Sequence, residues 1–103
     1  MPLRNTADTD REATETAKYY AGQDWQLGLR FRTAYANARA RLAPDPSRFP
    51  LHPEMPGPEE RYVAIAGFPY VLIFRTGPAE TVILGVVHVG AGPTVYRRVA
   101  QRG

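Results

Sequence analysis

Few side chains in this 103-residue sequence have the types and spacing that catalysis requires. The two histidines, His52 and His88, lie in different predicted elements and form no HxxxH or HExxH pattern. The only serine, Ser47, follows a proline and lacks the strand-turn-helix context of a nucleophile elbow. There is no cysteine, which excludes disulfides, thiolate metal sites and a cysteine nucleophile. We therefore expect no metal site, no cofactor and no serine or cysteine hydrolase chemistry.

Arginine is the side chain that could do most chemistry here. Twelve of the thirteen basic residues are arginine, and residues 61–103 hold five arginines against the lone Glu80. A planar guanidinium binds phosphates and carboxylates through two hydrogen bonds. The pattern favours an acidic partner, either nucleic acid or an acidic peptide, with a GC-rich genome as the alternative explanation. The candidate contact residues of this basic half are Arg75, His88, Tyr96, Arg97 and Arg98.

Two amphipathic helices are predicted to position the rest of the chain. Small and apolar residues recur at helical spacing over residues 10–24, and a second stripe follows from Leu27 to Leu42 after an interruption at residues 21–24. The two helices should form an antiparallel hairpin. We expect Tyr19, Tyr20, Phe31, Tyr35 and Leu42 in its core, Trp25 as a core cap or a recognition anchor, and Arg30, Arg32, Arg39 and Arg41 on a solvated face.

Beyond the hairpin the spacing of apolar residues changes from that of a helix to that of extended strands. Six prolines between Pro44 and Pro58 predict a structured crossover loop. Apolar and β-branched runs at 61–66, 70–75 and 81–88 then predict three antiparallel strands joined by short turns. Residues 94–102 should form a short helix or a fourth strand, and residues 2–6 could add an edge strand.

These elements predict a single α+β domain over residues 1–103. An N-terminal helical hairpin packs on a small antiparallel sheet of three to four strands, with a short C-terminal helix or strand. The last two strands are apolar at nearly every position, as in strands covered on both faces. Because the hairpin covers only one face, we expect something else to cover the other. Mean hydropathy is −0.37, no apolar run approaches a membrane span, and residues 1–5 form no secretory signal, so we expect a cytoplasmic protein without membrane contact.

Several short motifs occur in an order that resembles the ParE branch of the ParE/RelE toxin superfamily. The resemblance spans about residues 10–98 and includes the PxxFP element at 46–50, the Phe68-Pro69-Tyr70 strand opening and the strand-terminal His88. It implies a toxin of a bacterial type II toxin–antitoxin pair. It also implies a cognate antitoxin as partner. The chain would form a hetero-oligomer with this antitoxin, or a homo-oligomer of its own.

The two branches of the superfamily imply different activities. The RelE branch cuts messenger RNA on the ribosome with arginine and lysine side chains and a tyrosine near the C-terminus. Here Val71 and Ala91 stand where arginines are expected, so only Tyr96, Arg97 and Arg98, with His88, remain as weak catalytic candidates. The ParE branch implies DNA gyrase as a bound protein target, with nucleic acid involved only indirectly. A ribosome-dependent nuclease and a degenerate, non-toxic member that keeps antitoxin binding are the alternatives.

The antitoxin is expected to relieve an excess of apolar surface on the sheet. A hairpin with many alanines is too small to bury every large apolar side chain of the strands, so the free chain should aggregate or self-associate. An antitoxin segment could lay an amphipathic helix over the hairpin or add a strand to the sheet edge. Its carboxylates would then meet Arg75, Arg97 and Arg98. The strand residues concerned are Tyr62, Val63, Ile65, Tyr70, Leu72, Phe74, Val82, Leu84 and Val86.

Overall fold

The structure, a computed structural model, describes residues 2–103, so Met1 of the predicted 1–103 domain lies outside the described part. Residues 2–103 form three α-helices and four strands, with one 3₁₀ turn inside the proline-rich loop. Their bounds are β1 (Leu3–Asn5), α1 (Ala7–Gln23), α2 (Trp25–Ala40), the 3₁₀ turn (Pro46–Arg48), β2 (Glu60–Ala64), β3 (Tyr70–Thr76), β4 (Thr81–His88) and α3 (Pro93–Ala100).

The predicted helical hairpin is confirmed, with a tighter turn than the sequence suggests. Asp24 alone separates the helices, because its extended backbone ends α1 and its carboxylate accepts a hydrogen bond from the Gln26 amide to begin α2. The helices cross closely at Gly28, where an added Cβ would lie 2.7 Å from Cβ of Ala21. A glycine facing an alanine therefore sets the distance between α1 and α2.

The predicted fold class is also confirmed, with a mixed sheet in the order β1-β4-β3-β2. The β2–β3 and β3–β4 pairs are antiparallel, as expected from their short turns. Residues 2–6 do contribute an edge strand, and β1 pairs parallel to β4 with Leu3 beside Thr81. Parallel pairing is possible because nearly the whole chain intervenes between these two strands.

A β-bulge in β4 creates polar backbone groups that side chains must satisfy. The register passes from Ile73–Gly85 to Phe74–Ile83, which leaves Leu84 as the extra residue. The Leu84 carbonyl accepts from Arg102 at 3.1 Å, and the Val86 amide donates to Glu12 at 3.1 Å. The C-terminal residues are thereby tied to the sheet and to α1.

Two apolar clusters pack on opposite faces of the sheet. The hairpin covers the first through residues such as Ala17, Phe31 and Leu42. The second face is covered as expected, but by another part of the same chain and not by a partner. The C-terminal segment forms helix α3, one of the two predicted alternatives, and it covers this face together with the proline-rich loop. The buried residues of this second cluster are Met55, Val71, Ile73, Leu84, Val87, Tyr96 and Val99.

The expected excess of exposed apolar strand residues is correspondingly absent from residues 2–103. Tyr62, Tyr70 and Val82 are half-buried, and the other six of the nine predicted residues are buried. The prediction of exposed apolar surface considered only the hairpin as a cover for the sheet, whereas α3 covers the other face. Among the helices of the described chain, none combines the length and the apolar character needed to cross a bilayer.

Candidate functional site

The Phe68-Pro69-Tyr70 and His88 motifs meet at one end of the sheet. Tyr70 and His88 are register partners, and their rings lie edge to face with centroids 5.2 Å apart. The Nδ1 atom of His88 accepts a hydrogen bond from the Gly90 amide at 2.9 Å. In the neutral ring the proton is therefore on Nε2, and this exposed side chain can donate one hydrogen bond to a partner.

Arg75 lies at the opposite end of β3 and is engaged inside the chain. Its Nη2 atom donates to the Ala100 carbonyl at 3.0 Å, and its Nε atom lies 3.5 Å from a carboxylate oxygen of buried Glu60. Tyr70 and Arg75 are separated by roughly 16 Å along an extended strand. Arg75 and His88 therefore do not form one site, and Arg75 instead links the end of α3 to the sheet.

Tyr96 is a core residue in this structure rather than a surface group. Its side chain is 2% exposed, and its ring centroid lies 4.9 Å from that of His52. Burial raises the pKa of the Tyr96 hydroxyl above its usual value, with a smaller contribution from Glu54. A phenol that is buried and harder to ionise is a poor acid or base for a large substrate.

Arg97 and Arg98 are the arginines of the predicted set that remain available to a partner. Both are exposed on α3, and Arg97 makes only a 3.4 Å contact from Nη2 to Oγ1 of Thr94. Within residues 2–103 the Arg98 guanidinium makes no hydrogen bond or ion pair. The predicted contact set thus divides into two exposed arginines, an exposed histidine on another element, and two residues used internally.

The positions that depart from the nuclease pattern are packed apolar positions. Val71 is 6% exposed and belongs to the cluster beneath α3, and Ala91 packs against the same cluster. An arginine at position 71 would place a charge under α3, at a large desolvation cost. An apolar residue at position 71 is therefore what allows α3 to pack on this face of the sheet.

The tip of the hairpin carries large apolar side chains that are exposed to solvent. Tyr19, Trp25 and Leu29 are 61%, 65% and 54% exposed. The expectation of core packing is wrong for Tyr19, and Trp25 is not a core cap. Because the turn is the single residue Asp24, Trp25 is the first residue of α2. Its side chain is exposed at the hairpin tip and is not buried between the two helices. A signal was available, since Trp25 and Leu29 are four residues apart and lie off the Leu27–Phe31 stripe.

A groove of about 580 Å³ continues from this tip along α2 to the end of β2 and the β2–β3 turn. Its walls are mainly apolar, with Leu27, Ala34 and Phe68 among them, and Arg30 and Arg41 line it as well. Of the four arginines expected on a solvated face, Arg39 is the one that is not fully exposed. Arg39 is half-buried and donates to Asn5 Oδ1 at 2.9 Å and to the Leu3 carbonyl at 3.3 Å.

The residues described here contain no cluster of histidine, aspartate and glutamate side chains that could hold a metal ion. The candidate site comprises two binding surfaces: the α2 groove with the exposed hairpin tip, and the cations of α3 on the other face of the sheet. Exposed aromatic and arginine side chains are the groups most enriched at the centres of protein interfaces.

Comparison with known proteins identifies the fold. No protein family and no curated protein matches the sequence. A chain of the solved chromosomal ParDE TA system from P. aeruginosa superposes with a TM-score of 0.75 at 17% identity, covering 85% of this chain and 95% of that one. This chain therefore has the fold of that ParDE chain.

Proposed function

We propose that this chain is the toxin of a type II toxin–antitoxin pair of the ParE kind. The observation that carries the proposal is the shared fold with a chain of a ParDE system over 95% of that chain's length. The motif order at residues 46–50, 68–70 and 88 supports the same assignment independently. A cognate antitoxin is the implied partner, and the implied cellular address is the cytoplasm.

The toxin acts by binding a protein target, with DNA gyrase as the target that the resemblance implies. The buried Tyr96 and the apolar Val71 argue against a nuclease, because stabilising a phosphoryl transition state requires several exposed donors in fixed positions. Losing one such donor typically costs about 100-fold to 1000-fold in rate. A surface with an exposed tryptophan and exposed arginines is instead suited to binding a protein.

Induced expression of the chain without its antitoxin tests the proposal. Growth should stop, DNA-damage signalling should rise, and purified gyrase should lose supercoiling activity when the chain is added. A Phe31→Asp variant, which places a charge in the hairpin core, serves as the inactive control. Normal growth with soluble wild-type protein would refute the toxin assignment and favour a degenerate member that keeps only antitoxin binding, the alternative motivated by Val71 and Ala91.

Tyr96→Phe separates target binding from RNA cleavage. The substitution removes the hydroxyl and keeps the ring that packs against His52, so a binding toxin should arrest growth within about threefold of the wild-type potency. A nuclease that uses the hydroxyl as an acid or base should lose about 100-fold or more. Mapping of 5′ ends during arrest gives the second readout, and new cleavage sites in transcripts would replace the gyrase proposal with the ribosomal one.

A further inference from the structure

Two arginine side chains meet at one aromatic ring, where the proline-rich loop returns to the end of α2. The guanidinium carbon of Arg48 lies 4.8 Å from the centre of the Phe49 ring, and that of Arg41 lies 5.5 Å from the same centre. The two guanidinium carbons are therefore at most about 10 Å apart. Both arginines are exposed, so their N–H groups can reach a ligand in solution.

Neighbouring groups hold these side chains in place. The Nη2 atom of Arg48 donates to the Arg41 carbonyl at 3.1 Å. Phe49 is buried, and its ring packs edge to face on that of Phe74 with centroids 5.9 Å apart. Arg61 adds a third cation, because its Nη1 atom donates to the Phe49 carbonyl. A ring that is fixed in the core thus orients the guanidinium groups, which lowers the entropy lost when they bind a ligand.

The arginine cluster has no carboxylate partner within residues 2–103. None of Arg41, Arg48 and Arg61 takes part in an ion pair of the described chain. Asp45 is the acidic residue nearest in sequence, but its Oδ1 atom accepts from the Ser47 amide at 3.2 Å and from the Ser47 hydroxyl at 2.6 Å. Helix α2 contains no acidic residue. Since like charges repel, a cluster of cations without a carboxylate partner favours the binding of an anion from outside the chain.

We propose that Arg41, Arg48 and Arg61 bind the phosphodiester backbone of duplex DNA directly. A planar guanidinium presents its N–H groups in the geometry of two phosphate oxygens. Duplex DNA carries one charge per roughly 1.7 Å of its axis, so up to about six phosphates lie within the distance between Arg41 and Arg48. An acidic peptide is less suitable, because the buried Phe49 ring cannot serve it as an apolar anchor. The inference goes beyond the proposed function, in which nucleic acid takes part only indirectly.

Fluorescence anisotropy of a labelled duplex of roughly 20 base pairs, titrated with the purified full chain at about 50 and 200 mM salt, tests the proposal. The wild-type chain should bind with a dissociation constant of about 10 µM or less at the lower salt. The double variant Arg41→Gln/Arg48→Gln should bind at least about tenfold more weakly, and its slope of log K against log salt should be shallower by about 1.8. A wild-type chain that does not bind at about 100 µM in the lower salt would overturn the proposal.

Two further double variants separate the cluster from net charge. Lys18→Gln/Arg32→Gln removes the same charge at two exposed residues outside the cluster, and it should weaken binding less than about threefold. Losses equal to those of Arg41→Gln/Arg48→Gln would overturn the proposal, since net charge alone would then account for binding. Arg41→Lys/Arg48→Lys keeps the charge and removes the planar groups, so it should bind at least about threefold more weakly than the wild type. Wild-type affinity in this variant would refute the role of the stacked guanidinium groups.

Titration of the unlabelled duplex into the ¹⁵N-labelled wild-type chain locates the site without any variant. The Nε–H resonances of Arg41 and Arg48 should shift and saturate, whereas shifts confined to Arg97 and Arg98 would overturn the proposal by placing the DNA on α3. A glutamate-rich peptide that shifts the Arg41 and Arg48 resonances as readily as the duplex would overturn it in favour of an acidic protein partner. DNA binding requires no toxicity, so its failure leaves the growth assay unaffected. Conversely, DNA binding by a chain that does not arrest growth would refute only the toxin assignment.

Discussion

At the scale of single residues, His52 is the histidine whose surroundings shape its chemistry. Its ring lies between those of Tyr62 and Tyr96, with centroid distances of 5.0 and 4.9 Å. Its Nδ1 atom accepts a hydrogen bond from the Glu54 amide at 3.1 Å. Burial lowers the pKa of His52 below its usual value, and the nearby Glu54 offsets part of that effect. The neutral ring therefore helps to hold the proline-rich loop on the second core.

We expect this loop to make stability depend on pH in the weakly acidic range. Because the folded pKa of His52 is lower than the unfolded pKa, the unfolded chain binds the proton more readily. Stability is fully present above the unfolded pKa of about 6.5 and falls as pH decreases toward the folded pKa, by at most about 1.4 kcal/mol per pH unit. Urea unfolding of the wild type, His52→Gln and His88→Gln at several pH values measures this. A pH dependence that persists unchanged in His52→Gln would contradict the assignment.

At the scale of elements, Arg102 joins the C-terminal residues to the rest of the fold. Its side chain is 13% exposed and lies 3.0 Å from the Glu12 carboxylate, 3.5 Å from the Asp8 carboxylate and 3.1 Å from the Leu84 carbonyl. Glu12 also accepts from the amide of Val86. Helix α3 is thereby followed by a polar contact that joins the C-terminus, β4 and α1.

Gly85 is the position that tests this contact. An added Cβ would lie 2.8 Å from Nη1 of Arg102 and 3.2 Å from Oε1 of Glu12, so both side chains would have to move. We expect Gly85→Ala to lower the free energy of unfolding by about 1 kcal/mol through weakened hydrogen bonds. Gly22→Ala is the matched control, since nothing lies within 4 Å of its added Cβ. Within α1 it should raise stability by up to about 1 kcal/mol. Equal urea midpoints for the two variants would contradict the proposed role of Arg102.

At the scale of the whole molecule, exposed cations without ion pairs lie on two separate surfaces, and one of them, Arg41, lies over the Phe49 ring. Arg30 and Arg41 line the groove beside α2, and Arg97 and Arg98 lie on α3, which covers the other face of the sheet. Arg75 was expected to bind carboxylates of a partner, but its side chain is already engaged with Glu60 and with the Ala100 carbonyl. A partner that reaches both surfaces must extend around the edge of the sheet.

Charge reversal on α3 measures whether the antitoxin reaches that far. The double variant Arg97→Glu/Arg98→Glu should weaken the complex with the polypeptide encoded in the neighbouring reading frame by about tenfold at low salt, and less at high salt. Lys18→Glu/Arg32→Glu is the control, because it makes the same change in net charge at two exposed residues outside both surfaces. Isothermal titration that gives equal affinities for the two double variants would remove α3 from the interface.

Local patterns were sufficient to predict the hairpin, the three antiparallel strands and the burial of Phe31 and Leu42, and they gave the C-terminal helix as one of two alternatives. Each of these follows from periodicity, turn residues or capping groups within a short stretch of chain. The motif order also suggested a likeness to ParE-type chains, and the structure has the fold of a chain from a ParDE system. The same patterns wrongly placed Tyr19 in the core and left Trp25 as either a core cap or a recognition anchor. A sequence pattern identifies an apolar stripe without indicating whether another element covers it.

Only the tertiary structure decided which face each side chain meets. Tyr96 is buried because α3 folds back on the sheet, and Arg75 and Arg102 are engaged because distant carbonyls and carboxylates come within hydrogen-bond distance. Arg41 and Arg48 share one ring because the proline-rich loop carries Phe49 back to the end of α2. Composition and spacing determine which elements form, but burial and pairing depend on long-range contacts that local sequence does not encode.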